Sequence, residues 1–92
     1  MNASQIANRA AQIVVGDRAH THGDKRDNFR AIARLWNAYL GDRCVGLSSE
    51  DVALMMMLLK VARSQTGAAA EPDHYVDMCG YAAIAGELVT AI

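Results

Sequence analysis

The segment at residues 52–62 constrains the fold most, because ten of its eleven positions are apolar and the exception is Lys60. It follows Ser48-Ser49-Glu50-Asp51, which has the S/T-x-x-acid form of a helix capping box. The run is far too short to cross a bilayer, which takes about 20 apolar residues. A helix that is apolar on nearly every side is expected to be surrounded by others. We therefore predict that residues 52–62 form the central helix of a helical domain.

The rest of the chain shows apolar residues at three- and four-residue steps, and no segment alternates as a β-strand would. Asp24 is a suitable N-cap, and Gly16 and Gly41 are suitable stops. With 92 residues the chain holds one domain, residues 1–92, and we predict an all-α, four-helix bundle. The predicted helices span residues 4–15, residues 25–40, Ser48 through residues 52–62, and Asp73 to near the C-terminus.

The apolar fraction is high for so short a chain, at 52% of the residues. A small domain buries a modest share of its surface, so we expect a homo-oligomer whose interface completes the core. Residues 1–11 lack the apolar run of a signal peptide, and no segment is long enough to anchor in a membrane. A cytoplasmic protein with reduced thiols is expected.

The formal net charge is −1. A general nucleic-acid binder needs a basic surface to displace counterions from many phosphates, so neither DNA nor RNA is expected as the main partner. The charge is uneven, however, because residues 17–34 hold five of the nine Lys and Arg residues. This distribution predicts a local basic patch on a neutral protein.

One candidate site combines the last two helices. Lys60 and Arg63 are three residues apart and share a helix face, as do Asp73 and Asp77, with Tyr81 one turn further. Charges in such apolar sequence are costly unless they are paired or serve a ligand. One possibility is that the cations bind a phosphate while a carboxylate orients them. The other is that Lys60 or Arg63 forms an internal ion pair with Asp77 while Asp73 caps its helix.

A second candidate site lies around the start of the predicted second helix. Backbone N–H groups at a helix N-terminus, with basic side chains beside them, suit an anion. The alternative is a solvated loop whose charges bind nothing. The candidate ligand residues here are Lys25, Arg26 and Asn28, with Arg30, His20 and His22 nearby.

The sequence contains no nucleophile–base pair and no Gly-rich phosphate loop, so we identify no catalytic residues. The spacing of the His and Cys residues does not match a zinc site. We therefore predict no metal and no cofactor. The exception is a magnesium ion held by Asp51, Asp73 and Asp77 together with ligand phosphates, if the chain is an enzyme.

Several stretches of the sequence together resemble a family of short phage and prophage proteins catalogued as a domain of unknown function. The resemblance covers most of the chain after Val15. It implies a phage setting, hence the host cell cytoplasm, without implying an activity. The matching stretches are residues 23–29 (GDKRDNF), 32–40 (IARLWNAYL), 51–56 (DVALMM), 59–63 (LKVAR), 73–77 (DHYVD) and 80–82 (GYA).

Residues 77–81 (DMCGY) also show a remote resemblance to the MazG-type all-α nucleoside triphosphate pyrophosphohydrolases. That resemblance implies magnesium-dependent hydrolysis of nucleotides. Two positions depart from the pattern of those enzymes: His74 stands where their Glu-x-x-Asp motif has Glu, and Lys60 and Arg63 occupy a helix that should be acidic.

Three functions follow from these observations. The first is a phage protein that binds and sequesters a phosphate-bearing nucleotide, such as an anti-defence sponge for a cyclic nucleotide immune signal. The second is a protein-binding inhibitor or adaptor of a host defence complex, which predicts an exposed apolar patch rather than a polar pocket. The third is the MazG-like pyrophosphohydrolase.

Overall fold

The computed structural model describes residues 1–17, 24–67 and 70–90, which form four α-helices and no β-strand. This confirms the all-α prediction. Within the described segments, no helix combines the length and hydrophobicity needed to traverse a lipid bilayer. The helices are α1 (Ala3–Gln12), which continues as a π-helical turn (Ile13–Asp17), α2 (Lys25–Leu40), which continues as a 3₁₀ turn (Gly41–Arg43), α3 (Ser49–Thr66) and α4 (Pro72–Thr90).

The predicted starts of α2 and α3 are confirmed. Asp24 Oδ1 accepts hydrogen bonds from the N–H groups of Arg26 and Asp27, at 2.8 and 3.1 Å. Ser48 Oγ accepts from the Asp51 N–H at 3.0 Å, and Asp51 Oδ2 accepts from the Ser48 N–H at 2.8 Å. The capping box therefore satisfies two backbone donors that the helix itself leaves unpaired.

The start of α4 differs from the prediction. The helix begins at Pro72, so Asp73 lies inside its first turn instead of capping it. Proline is favoured at the first helical position because its N–H is missing where no helical partner exists, and its fixed φ suits the helix.

The longest helices, α3 and α4, make the most extensive contact, with α1 packed on α4 and α2 packed on α3. The most extensive contacts therefore follow the order α2–α3–α4–α1, and α2 also contacts α4 through the rings of Phe29 and Tyr81. Within the described parts of the chain, α1 and α2 share no extensive contact. The main core cluster consists of Phe29, Ala33, Val52, Ala53, Tyr81, Ile84 and Ala85.

The prediction that α3 is surrounded is only partly correct. Val52 and Ala53 are completely buried, yet Leu58 is 59% exposed on the opposite side of the helix. The reason is that α3 has two neighbours, α2 and α4, and neither covers its outer face. Apolar character around the whole helix thus leaves an apolar surface as well as a core.

Candidate functional site

Lys60 and Asp77, both predicted as ligand residues, pair with each other across the α3–α4 contact. Lys60 Nζ lies 2.9 Å from Asp77 Oδ2, and the two side chains are 17% and 26% exposed. A charged group that is largely shielded from water needs a partner of opposite charge, and Lys60 and Asp77 each provide that partner for the other. The geometry corresponds to the internal ion pair that the sequence allowed as an alternative to phosphate binding.

Tyr81, predicted as a ligand residue, belongs to the core. Its ring packs edge-on against Phe29, with centroids 6.4 Å apart and planes at 72°. Tyr81 and Asp77 also line a cavity of about 10 Å³ between α1 and α4. That volume suits about one water molecule, so a nucleotide base has no room to stack there.

Arg63 and Asp73 are both exposed. Within the described part of the chain, neither side chain takes part in an ion pair. The structure thus joins Lys60 to Asp77, and places Asp77 beside Tyr81, without drawing Arg63 or Asp73 into the same cluster.

At the start of α2, Lys25 and Arg26 both reach the C-terminal part of α4. Lys25 Nζ lies 3.4 Å from Glu87 Oε2, and Arg26 Nη2 donates to the Glu87 backbone carbonyl at 3.1 Å. Cations here offset the negative end of the α4 dipole. Asn28 is half-buried in the same turn of α2. The predicted neighbours that lie outside the described residues are His20 and His22.

A groove of about 340 Å³ opens where α2 begins, beside the first turn of α3. Arg26 and Arg30 are four residues apart, so successive turns of α2 present two guanidinium groups to it. Apolar residues of α4 form another part of its wall. We call this site the Arg26–Arg30 groove; its lining is Arg26, Arg30, Ser48, Ser49, Glu50, Leu88 and Val89.

The electrostatics of the groove favour an anion. Its lining has two guanidinium groups against the single carboxylate of Glu50. The partial positive charge at the N-terminus of α3 is opposed by the partial negative charge at the C-terminal end of α4, so the two arginines supply the excess positive charge. Arg30 makes only a loose 3.7 Å pair with Asp27, in which the side chains are 70% and 78% exposed. Such an exposed pair is worth little, so Arg30 can turn to a ligand at small cost. Arg26 keeps further N–H donors beyond the one given to Glu87.

Sequence reasoning missed the meeting of α2 with the first turn of α3. Arg30 was noted only as a neighbour, and Ser48 to Glu50 were interpreted as a cap alone. The available local signals were the four-residue spacing of Arg26 and Arg30 and the strong helix start at Ser48. Nothing in either signal says that the two helix starts lie together, because that depends on how α2 packs on α3.

A second, larger groove of about 430 Å³ is almost entirely apolar. The loop beside it is held by the Asn37 side chain, which donates to the Leu47 carbonyl at 3.0 Å and accepts from the Leu47 N–H at 2.7 Å. Arg43 lies over the Tyr39 ring, 5.1 Å from its centroid. The residues that line this groove are Trp36, Tyr39, Leu40, Leu47 and Met55.

The three carboxylates of the magnesium alternative do not come together. Asp51 completes the capping box of α3, and Asp77 pairs with Lys60. Among all residues that the structure describes, no three His, Cys, Asp or Glu side chains are placed to hold a metal ion.

Comparison with known proteins places the chain among phage proteins. The chain is 43% identical to the Gene 55 protein of Mycobacterium phage L5 over 79 residues, which is 86% of the chain and 49% of that relative. It is 38% identical to the Gene 55 protein of Mycobacterium phage D29 over 77 residues, 84% of the chain and 48% of the relative. The chain thus spans about half the length of these two relatives.

No solved structure shows a significant match to the chain. The predicted resemblance to a phage family of unknown function is confirmed, whereas these comparisons do not show the MazG resemblance. The model of a family described as a domain of unknown function, DUF6378, matches residues 5–89. The chain therefore belongs to the DUF6378 family.

Proposed function

We propose that this chain binds a phosphate-bearing ligand of the nucleotide class in the Arg26–Arg30 groove and holds it unchanged. The observation that carries the proposal is the pair of guanidinium groups facing the first turn of α3. Guanidinium groups donate paired, charge-assisted hydrogen bonds to phosphate oxygens. Backbone N–H groups at a helix start add donors for the same anion.

The size and the walls of the groove favour a nucleotide over bare phosphate. A volume of about 340 Å³ lies within the usual range of small-molecule sites, roughly 300–1,000 Å³. Leu88 and Val89 give an apolar wall beside the basic one. A ligand with an anionic end and a flat organic body would use both walls.

Sequestration is the role that such a site would serve in a phage protein. Capture needs only affinity, so few charge-assisted contacts suffice and no catalytic group is required. Membership of a family with phage relatives supports this setting. We therefore propose an anti-defence sponge for a nucleotide immune signal, such as a cyclic oligonucleotide or a cyclic ADP-ribose.

Of the predicted ligand residues, Arg26 lines the proposed site, and Arg30 joins it there. Lys60 is instead the structural partner of Asp77. Arg63 is exposed and belongs to a competing version of the site, in which α3 holds the phosphate near its C-terminal end.

The test is calorimetric titration with inorganic phosphate, a nucleoside triphosphate, cyclic di- and trinucleotides and cyclic ADP-ribose. Arg30→Ala should weaken nucleotide binding by roughly tenfold or more, because a hydrogen bond to a charged group is worth about 1.5–3 kcal/mol. Arg34→Ala is the matched control. It removes the same charge one turn further along α2, at an exposed position that does not line the groove.

The recovered ligand is then chromatographed. Unchanged nucleotide supports capture, and magnesium-dependent product formation would establish the hydrolase alternative instead. Loss of binding in Arg63→Ala with full binding in Arg30→Ala would contradict the groove and favour the C-terminal end of α3.

A second candidate function, an inhibitor or adaptor that binds a host defence complex, is favoured by the apolar surface. Tyr39 is 77% exposed beside the apolar groove, and Leu58 is 59% exposed on α3. Exposed apolar surface of this kind marks protein-binding sites. The adaptor would bind no nucleotide in the titrations above.

A further inference from the structure

The outer surfaces of α2 and α3 carry six large apolar side chains that are 36–77% exposed. They form one connected surface, because members of each helix are three or four residues apart and Tyr39 and Met55 line the same groove. We call it the α2–α3 apolar face; its residues are Leu35, Tyr39, Leu54, Met55, Leu58 and Leu59.

The face is large for a single small domain. The six residues are on average about half exposed and together present on the order of 600 Å² of surface. That is the upper end for the largest apolar patch of a typical monomer. Two such faces brought together would bury about 1,200 Å², where the range of stable, specific interfaces begins.

We propose that a second copy of this chain covers the α2–α3 apolar face. Its α3 crosses the first α3 in the antiparallel direction, about a two-fold axis near Leu58. A two-fold contact requires a patch that is complementary to itself, and an apolar stripe along one helix meets that requirement. This dimer does not depend on the proposed nucleotide groove, because none of the six residues of the face lines that groove.

The helix dipoles select the antiparallel direction, because a parallel pair of α3 helices would place ends of like partial charge side by side.

Sedimentation velocity over a range of concentrations tests the proposal. The wild-type chain should sediment as a dimer, and Leu58→Glu should shift it to a monomer with unchanged helical circular dichroism. The matched control is Val15→Glu, which places the same charge on an apolar residue that is 78% exposed beyond α1. This control should remain dimeric.

Cross-linking provides a second readout that does not depend on affinity. Because the axis passes near Leu58, the L58C variant should form a covalent dimer under mild oxidation, whereas V15C should not. Both variants are made with Cys44→Ser and Cys79→Ser, since both native cysteines are free thiols.

Three results would overturn the proposal. They are a wild-type chain that stays monomeric at every concentration, a dimer that survives Leu58→Glu, and a dimer broken by Val15→Glu instead. A monomer would leave the face to a different protein, as the adaptor function requires.

Discussion

At the scale of single residues, the most informative contact is the ion pair of Lys60 and Asp77. Most of each side chain is shielded from water, so the pair lies between the exposed pairs that contribute little and the fully buried pairs whose disruption is costly. The Arg30–Asp27 pair is longer and far more exposed. The two pairs therefore allow the effect of burial on the strength of an ion pair to be measured within one protein.

We expect Lys60→Met and Asp77→Asn each to lower the free energy of unfolding by about 1–2 kcal/mol. Their coupling in a double-mutant cycle should be about 1 kcal/mol. The measurement is urea denaturation of the wild type, the two single variants and the double variant. The same cycle on Arg30 and Asp27 should show a coupling below about 0.5 kcal/mol. Equal couplings for the two pairs would mean that Lys60 and Asp77 do not interact as the distance suggests.

At the scale of the helices, the structure distinguishes glycines that the backbone requires from glycines that it merely tolerates. Gly41 ends α2 with φ +53°, a conformation that L side chains rarely adopt, and its N–H donates to the Asn37 carbonyl. Gly86 lies inside α4, and a Cβ built there has open space around it. Gly41 is therefore needed for the turn, while Gly86 only weakens its helix.

Opposite effects follow from the same substitution at these two positions. Gly86→Ala should raise the free energy of unfolding by about 0.5–1 kcal/mol, because alanine restricts the unfolded chain and favours the helix. Gly41→Ala should lower it by roughly 1–2 kcal/mol, because a Cβ is strained at positive φ. Thermal and urea unfolding of both variants give the comparison. A destabilised Gly86→Ala would show that α4 is packed against something on that side.

At the scale of the whole molecule, the described core is small even though α2 contacts both α3 and α4. Of the nine buried apolar residues, four are alanines. Large apolar side chains such as Leu58 and Tyr39 remain outside the core. A second chain on the α2–α3 apolar face would add the burial that one chain lacks.

If folding and dimer formation are coupled, stability must depend on protein concentration. The Tm of the wild-type chain should rise by a few degrees for each tenfold increase in concentration. The Tm of Leu58→Glu should be lower and independent of concentration. Differential scanning calorimetry over two decades of concentration checks this, and a constant wild-type Tm would argue for a stable monomer.

The amino-acid sequence by itself determined where α2 begins and ends and where α3 begins. Asp24 and the Ser48–Asp51 box act on N–H groups two or three residues away, and Gly41 acts on its own backbone. Such contacts are local, so they can be inferred from neighbours in the chain. Two helix ends differ from the prediction: α4 starts at Pro72, one residue before the expected cap, and α3 continues to Thr66, beyond the predicted residues 52–62.

Only the tertiary structure decided which side chains face each other across helices. Lys60 meets Asp77, and Arg26 and Arg30 meet the first turn of α3, because whole apolar faces set the rotation of each helix about its axis. That rotation depends on the sum of many weak contacts spread over the chain. The same sum determined that α2 and α4 cover only part of α3 and leave the side around Leu58 open to water.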